Sequence, residues 1–201
     1  FPWRDTTRSD GSVISVEEQY RKLKLARVSP QAATPYVSAQ IENHSSAVLD
    51  NRQLDAFVLN INNQSWNIVK QRGASREELL LALERIKIAC ELRPGDGYML
   101  NTLGVAHYRV GNWREALAAL TEARSLQDHE EDLLFMAMSH WQLGNEQKAR
   151  EIYQMADARL EEQETNDMEL LSFRTEAAEL LNIGKDTEKN ESSAKKQDES
   201  Q

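Results

Sequence analysis

The sequence is short of most things that mark a specialised chain. Its single cysteine, Cys90, excludes an internal disulfide and leaves the compartment open. Glycine (8), proline (4) and aromatics (6%) are sparse among the 201 residues, which favours helix over turn-rich sheet. No apolar run approaches the roughly 18 residues that span a bilayer, so no direct membrane insertion is expected. The opening "FPWRDTTRSDG" lacks the apolar stretch of a signal peptide. Basic residues number 24 against 33 acidic, a net charge of -9, and no nucleic-acid partner is expected because phosphate neutralisation needs a basic excess. The first residue is Phe rather than Met, so the chain reads as processed or as a piece of a longer one.

Three regions separate by composition. Residues 1–51 are mixed, with one helix expected over Val16–Val28 ("VEEQYRKLKLARV") and then a proline-containing stretch, "SPQAATPY". Residues 52–183 are helical in period almost throughout, with short Gly-, Asn- and Pro-marked breaks. Residues 184–201 hold one alanine and no larger apolar side chain, so nothing there offsets the entropy of ordering, and a disordered tail is expected.

What the middle region has is a register. "HYRVGNWREAL" and "HWQLGNEQKAR" begin 33 positions apart, at His107 and His140. Small residues recur at Ala82, Ala116 and Ala149, and again at Ala89, Ala123 and Ala156. Larger ones stand between them at Ile86, Leu120 and Tyr153, and upstream at Trp66, Leu100, Leu133 and at Val69, Leu103, Met136. A period of 33 to 34 residues holding two helices signals stacked helical hairpins, each covering a face its neighbour leaves open.

Local chemistry supplies the punctuation. A helix over Tyr98–Val110 is expected to close at Gly111, which takes the left-handed backbone at little steric cost. Asn112 with Glu115, and Ser75 with Glu78, read as capping boxes, and Asn145 as a similar cap with Lys148 in place of the acid. Gly104 and Ala137 are expected to let paired helices approach closely. The irregular "KQRGAS" predicts that the first helix of the series is short, and "RPGDG" a sharp reversal after the second. A last helix over about Asn166–Leu181, with Leu170, Phe173, Ala177 and Leu180 at helical spacing, is expected to cap the open end.

These positions resemble the tetratricopeptide repeat. The middle unit carries the family's pattern at Leu100, Leu103, Gly104, Ala116, Leu120 and Ala123, the first at Trp66, Val69, Ala82, Ile86, Ala89 and Pro94, and the third at Leu133, Met136, Ala137, Ala149, Tyr153 and Ala156. His107 and His140 stand where Tyr is usual, Lys70 where Gly is usual, and Asp128 where the last Pro is usual. The resemblance implies an all-α, right-handed α-solenoid of three hairpins (about 63–96, 97–129 and 130–163) with a capping helix at 166–182. More narrowly, the segment looks like one near the C-terminus of large bacterial proteins, where it follows a eukaryotic-like Ser/Thr kinase domain or a WD40 propeller. Such a domain would lie outside this chain, which has no Gly-rich loop, HRD or DFG.

Catalytic chemistry is poorly represented. His107 and His140 occupy equivalent positions but lack the further ligands of a zinc site, and are read as packing positions. "DHEED" at Asp128–Asp132 crowds acids around His129 where a helix must begin, and acids there oppose the helix dipole favourably. A hydrolase built on His129 is the weakest reading. "GDG" at Gly95–Gly97 lacks the Lys-Ser/Thr of a phosphate loop, Cys90 lacks a catalytic partner, and "RKLKLAR" reads as a solvated helix face. Neither cofactor nor metal is expected.

The resemblance places ligand contacts on the first helix of each hairpin. Carried onto this chain they are Gln64, Asn67 and Gln71, then Tyr98, Asn101, Val105 and Tyr108, then Glu131, Leu134, Met138 and Trp141. Such a groove is amide-rich at one end and aromatic and sulfur-bearing at the other, suited to a peptide or partner protein. Tyr108 and Trp141 have an equally good use packing against a terminal helix or the N-terminal segment. Two functions follow: a non-catalytic interaction scaffold, or the regulatory C-terminal region of a kinase or other multidomain signalling protein.

Overall fold

The computed structural model describes residues 6–7, 13–14 and 51–183. The architecture is all-α, with seven helices among the described residues: α1 (Asn51–Val69), α2 (Arg76–Leu92), α3 (Gly97–Val110), α4 (Trp113–Leu126), α5 (Glu130–Gln142), α6 (Glu146–Glu162) and α7 (Met168–Leu180). A two-residue antiparallel pairing of Thr6–Thr7 with Val13–Ile14 is the other backbone ladder described. The chain divides into two units, Phe1–Asn60 and Ile61–Gln201, with the boundary inside α1. The helix expected over Val16–Val28 and the tail expected from Gly184 lie outside the described residues.

The first helix of the series is not short. α1 runs for 19 residues because nothing between Asn51 and Val69 stops it: the first glycine after its start is Gly73, and "KQRGAS" is the connection that follows rather than a break within. α2 opens with the expected box. The Ser75 hydroxyl accepts the Glu78 N–H at 3.3 Å, and the Glu78 carboxylate accepts the Ser75 N–H at 2.8 Å. The Ser75 hydroxyl, which also donates to that carboxylate at 2.7 Å, and then the Ser75 N–H hold the exposed Glu78 carboxyl below its usual range.

α3 closes at Gly111, whose φ of +90° lets its own N–H reach the Tyr108 carbonyl and the Asn112 N–H reach that of His107. Gly144 repeats the arrangement at φ +79°, with Asn145 donating to the His140 carbonyl. The expected side-chain caps at Asn112 and Asn145 are absent. The two connections are only two and three residues long, so the Asn backbone both closes one helix and opens the next. Its side-chain amide turns back to the preceding histidine, 3.3 Å from His107 Nδ1 and 3.4 Å from His140 Nδ1. Glu115 therefore completes no box.

Short connections force neighbouring helices antiparallel. α3 packs along α4 and α5 along α6, while α2 lies on α3, α4 on α5, and α3 also touches α5. The small residues in phase are buried: Ala82, Ala116, Ala149, Ala89 and Ala123 are fully covered and Ala156 nearly so, with Ile86, Leu120 and Tyr153 between them. Gly104 shows why size matters here. A Cβ added to it would sit 2.5 Å from Leu120 Cγ, so α3 and α4 approach at a distance that only glycine permits.

α7 is the exception to sequential stacking. Expected to cap the end beyond α6, it lies chiefly on α5 and touches α6 only lightly. Phe173 is the reason, because it finds its aromatic neighbours, Trp66 and Phe135, on α1 and α5. No helix among the described residues is long and apolar enough to cross a membrane.

Candidate functional site

α7 is seated on side chains of α1, α3 and α5 that neighbour in sequence, but are not, the residues expected to line the groove. Phe173, buried at mid-helix, meets Phe135 of α5 edge-on at 5.0 Å and Trp66 of α1 edge-on at 5.9 Å. Such T-shaped contacts add to the area term because ring edges and faces carry opposite partial charge. One turn before Phe173, Glu169 takes two donors from α1 and the residue after it: the Trp66 indole N–H at 2.8 Å and the Lys70 ammonium at 2.7 Å.

One turn after Phe173, Glu176 is buried against Arg109 of α3 in a two-pronged carboxylate–guanidinium pair. The third donor of Arg109, Nε, reaches the Val69 carbonyl at 2.8 Å, so one side chain ties α1, α3 and α7 together. Its guanidinium also lies 5.2 Å from the Phe135 ring centre and 5.7 Å from that of Tyr108. Arg72, in the connection after α1, completes the set with Glu179 at 2.8 Å. On its other flank α7 is pinned by Arg174, paired with Asp157 and Glu161 of α6.

The residues expected to line the groove are distributed differently. Val105, Leu134 and Met138 are fully buried and Asn101 nearly so, which makes them core rather than contact residues. Their side chains lie between packed helices, where a ligand has no access. Asn67 on α1 and Gln71 just past its end stay exposed, the Gln71 amide donating to the Asn67 carbonyl, while the edge bearing Trp66 and Lys70 meets α7. That edge wins because it offers an indole to cover and two donors for one carboxylate, whereas the other offers only well-hydrated amides. Tyr108 packs on Phe135 at 5.4 Å and donates to Met138 Sδ at 3.5 Å, and burial pushes its hydroxyl up to about 12. Trp141 is half-exposed under the Arg150 guanidinium.

Tyr98 stays 56% exposed, its ring 4.8 Å from that of His129 at the start of α5. Beneath it, Asn101 donates to Asp132 Oδ1 at 2.7 Å in a buried pair. Asp132 Oδ2 and His129 Nε2 are buried without a partner. Desolvation, aided by the charge of Glu131, pushes the Asp132 carboxyl up to about 7, and desolvation also raises Glu131. Both members of the pair are buried, so it presents no carboxylate to solvent.

Other candidates offer little chemistry. Burial first, then Asp96 and Glu122, push the half-buried Cys90 thiol up to about 12, so it stays protonated at neutral pH and is a poor nucleophile. No group of three His, Cys, Asp or Glu among the described residues is placed to hold a metal. A cleft of about 430 Å³ opens between Tyr153 and the far side of α7, lined by Leu171, Thr175 and Ala178.

Sequence reasoning missed Lys70, Arg72, Arg109 and Phe135 as site residues. One signal was legible: Glu176 falls on the Phe173–Ala177–Leu180 face of the last helix, and a carboxylate inside an apolar stripe requires a cationic partner. No family model matches the chain, and no curated protein matches it.

Proposed function

We propose that this chain is a non-catalytic protein-interaction scaffold of the tetratricopeptide kind, three hairpins and a terminal helix, binding a protein or peptide on the inner faces of α1, α3 and α5. The 33- to 34-residue register and the burial of its small residues support the reading. The observation that carries it is the seating of α7, whose aromatic and acidic side chains meet complementary groups from three different helices. A surface that holds one helix by edge-on rings and ion pairs has the chemistry to hold another.

The test is position-specific photocrosslinking in cells. A crosslinker at Tyr98 or Trp141, beside the inner surface, is expected to capture discrete protein partners, and one at the 53%-exposed Met155 on α6 is not. Equal capture from both faces, or none from the inner one, refutes the reading.

A further inference from the structure

We infer that the inner surface takes a partner's acidic amphipathic helix in place of α7, with a carboxylate opposite Arg109, an aromatic residue one turn before it, and a second carboxylate one turn earlier still. The inference rests on the scaffold reading and specifies its ligand.

Charge complementarity gives the first reason. In a chain of net charge -9, this surface gathers Lys70, Arg72 and Arg109, and the helix that meets them supplies Glu169, Glu176 and Glu179. Arg109 is the discriminating group. Its side chain and that of Glu176 are each 8% exposed when paired, so another helix that covers Arg109 without supplying a carboxylate strands a desolvated guanidinium against Tyr108 and Phe135. An incoming helix must therefore be acidic at that position. A neutral or basic helix is rejected by the same charge that accepts an acidic one.

The second reason is how thinly α7 is attached. Of its 13 residues only Phe173, Glu176 and Ala177 are buried, while Met168 at its start is 78% exposed. The connection to α6 contains Glu164 at φ +48°, a left-handed conformation that a side chain disfavours, and Asn182 past the other end stands at φ +55°. Leu181 is the one large apolar anchor beyond the helix proper. An intramolecular helix held by one ring, the Leu181 side chain and a few ion pairs competes with a partner without closing the surface permanently, and it raises the apparent dissociation constant by the reciprocal of the open fraction.

The experiment uses the whole chain and a fluorescent peptide of residues 166–183 as probe, read by anisotropy. Phe173→Ala in the chain loosens α7 without touching the surface, and is expected to tighten peptide binding by about tenfold or more over the parent. Glu176→Lys in the peptide is expected to abolish that binding. Should Phe173→Ala lose its helical circular dichroism, Glu169→Gln in the chain serves as the milder release, with a smaller gain in the same direction. Equal binding of native and Glu176→Lys peptides, or no binding to a folded released chain, overturns the proposal. Concentration-dependent dimerisation of the parent chain in sedimentation would assign the place to a second copy's α7, and would also overturn it. Crosslinks from Tyr98 or Trp141 without peptide binding would defeat only this helix assignment, whereas peptide binding without any inner-face crosslink would defeat the scaffold reading.

Discussion

The α3–α4 hairpin and α7 are both short helical pieces of one chain, yet they are held in opposite ways. Eight of the 14 residues of α3 are buried, and its contact with α4 is so close that Gly104 has no room for a Cβ beside Leu120. α7 buries three of 13 and depends on a single ring plus carboxylates facing Lys70, Arg72 and Arg109. Tight apolar packing is all-or-none, because interiors tolerate neither voids nor overlap. Attachment through ion pairs, all but the buried Arg109–Glu176 pair at a half-wet margin, is graded, and graded attachment is what local opening requires.

The sharpest way to break this contrast is to truncate one side chain in each region. Leu120→Ala removes a fully buried side chain, and is expected to lower global stability by about 2–5 kcal/mol, read from the midpoint of urea denaturation. Phe173→Ala is expected to strip amide-exchange protection from α7 while moving the global midpoint less than Leu120→Ala does. A global shift as large as that of Leu120→Ala would show α7 to be part of the central cooperative unit. Gly104→Ala probes the close approach from the other side, and overpacking against Leu120 is expected to cost about 1–3 kcal/mol.

A pH experiment follows from the buried Asn101–Asp132 pair inside the tightly held region. The Asp132 carboxyl titrates near 7 when folded, against 3.8 ordinarily, so between those values the folded chain keeps a proton that the unfolded chain has lost. Its contribution is therefore most favourable below about pH 4 and is lost progressively as pH rises to 7. Asp132→Asn keeps the neutral form at every pH. The variant's stability relative to the parent is expected to climb from pH 4 to 7 and level off above, by an amount on the order of 4 kcal/mol at most. An unchanged difference over that range would show that Asp132 is ionised in the fold.

How much of this was legible in the sequence depends on whether the information was local. The glycine closure at Gly111 and the Ser75–Glu78 box depend on a few adjacent residues, and the expected local chemistry appears there. Small residues at fixed spacing depend on packing between neighbours in sequence, and Ala82, Ala116 and Ala149 are buried as that spacing required. The site was less legible because it joins side chains about a hundred residues apart. Nothing near Trp66 or Lys70 indicates Glu169, and nothing near Arg109 names Glu176 as its partner. The resemblance put Val105, Leu134 and Met138 on a ligand-facing surface, but could not show that packing between helices covers them before any ligand reaches them.

The smallest expected effect separates the two regions by their helix starts. Asn112 was expected to cap α4, yet its amide turns to His107 Nδ1 and leaves the first N–H groups of α4 without a side-chain acceptor. Asp167 does cap α7, accepting from Glu169 N–H at 2.8 Å and Leu170 N–H at 3.3 Å. Asp167→Ala is therefore expected to cost α7 about 1 kcal/mol of local stability, visible as faster amide exchange through its first two turns. Asn112→Ala is expected to change the denaturation midpoint by less than about 0.5 kcal/mol, since it removes no cap and α4 is held by Leu120 and its neighbours. The helix with the weaker packing thus has the stronger start, as a segment needs if it is to keep its shape while its tertiary contacts come and go. Equal costs at the two positions would mean that α4 and α7 are anchored alike.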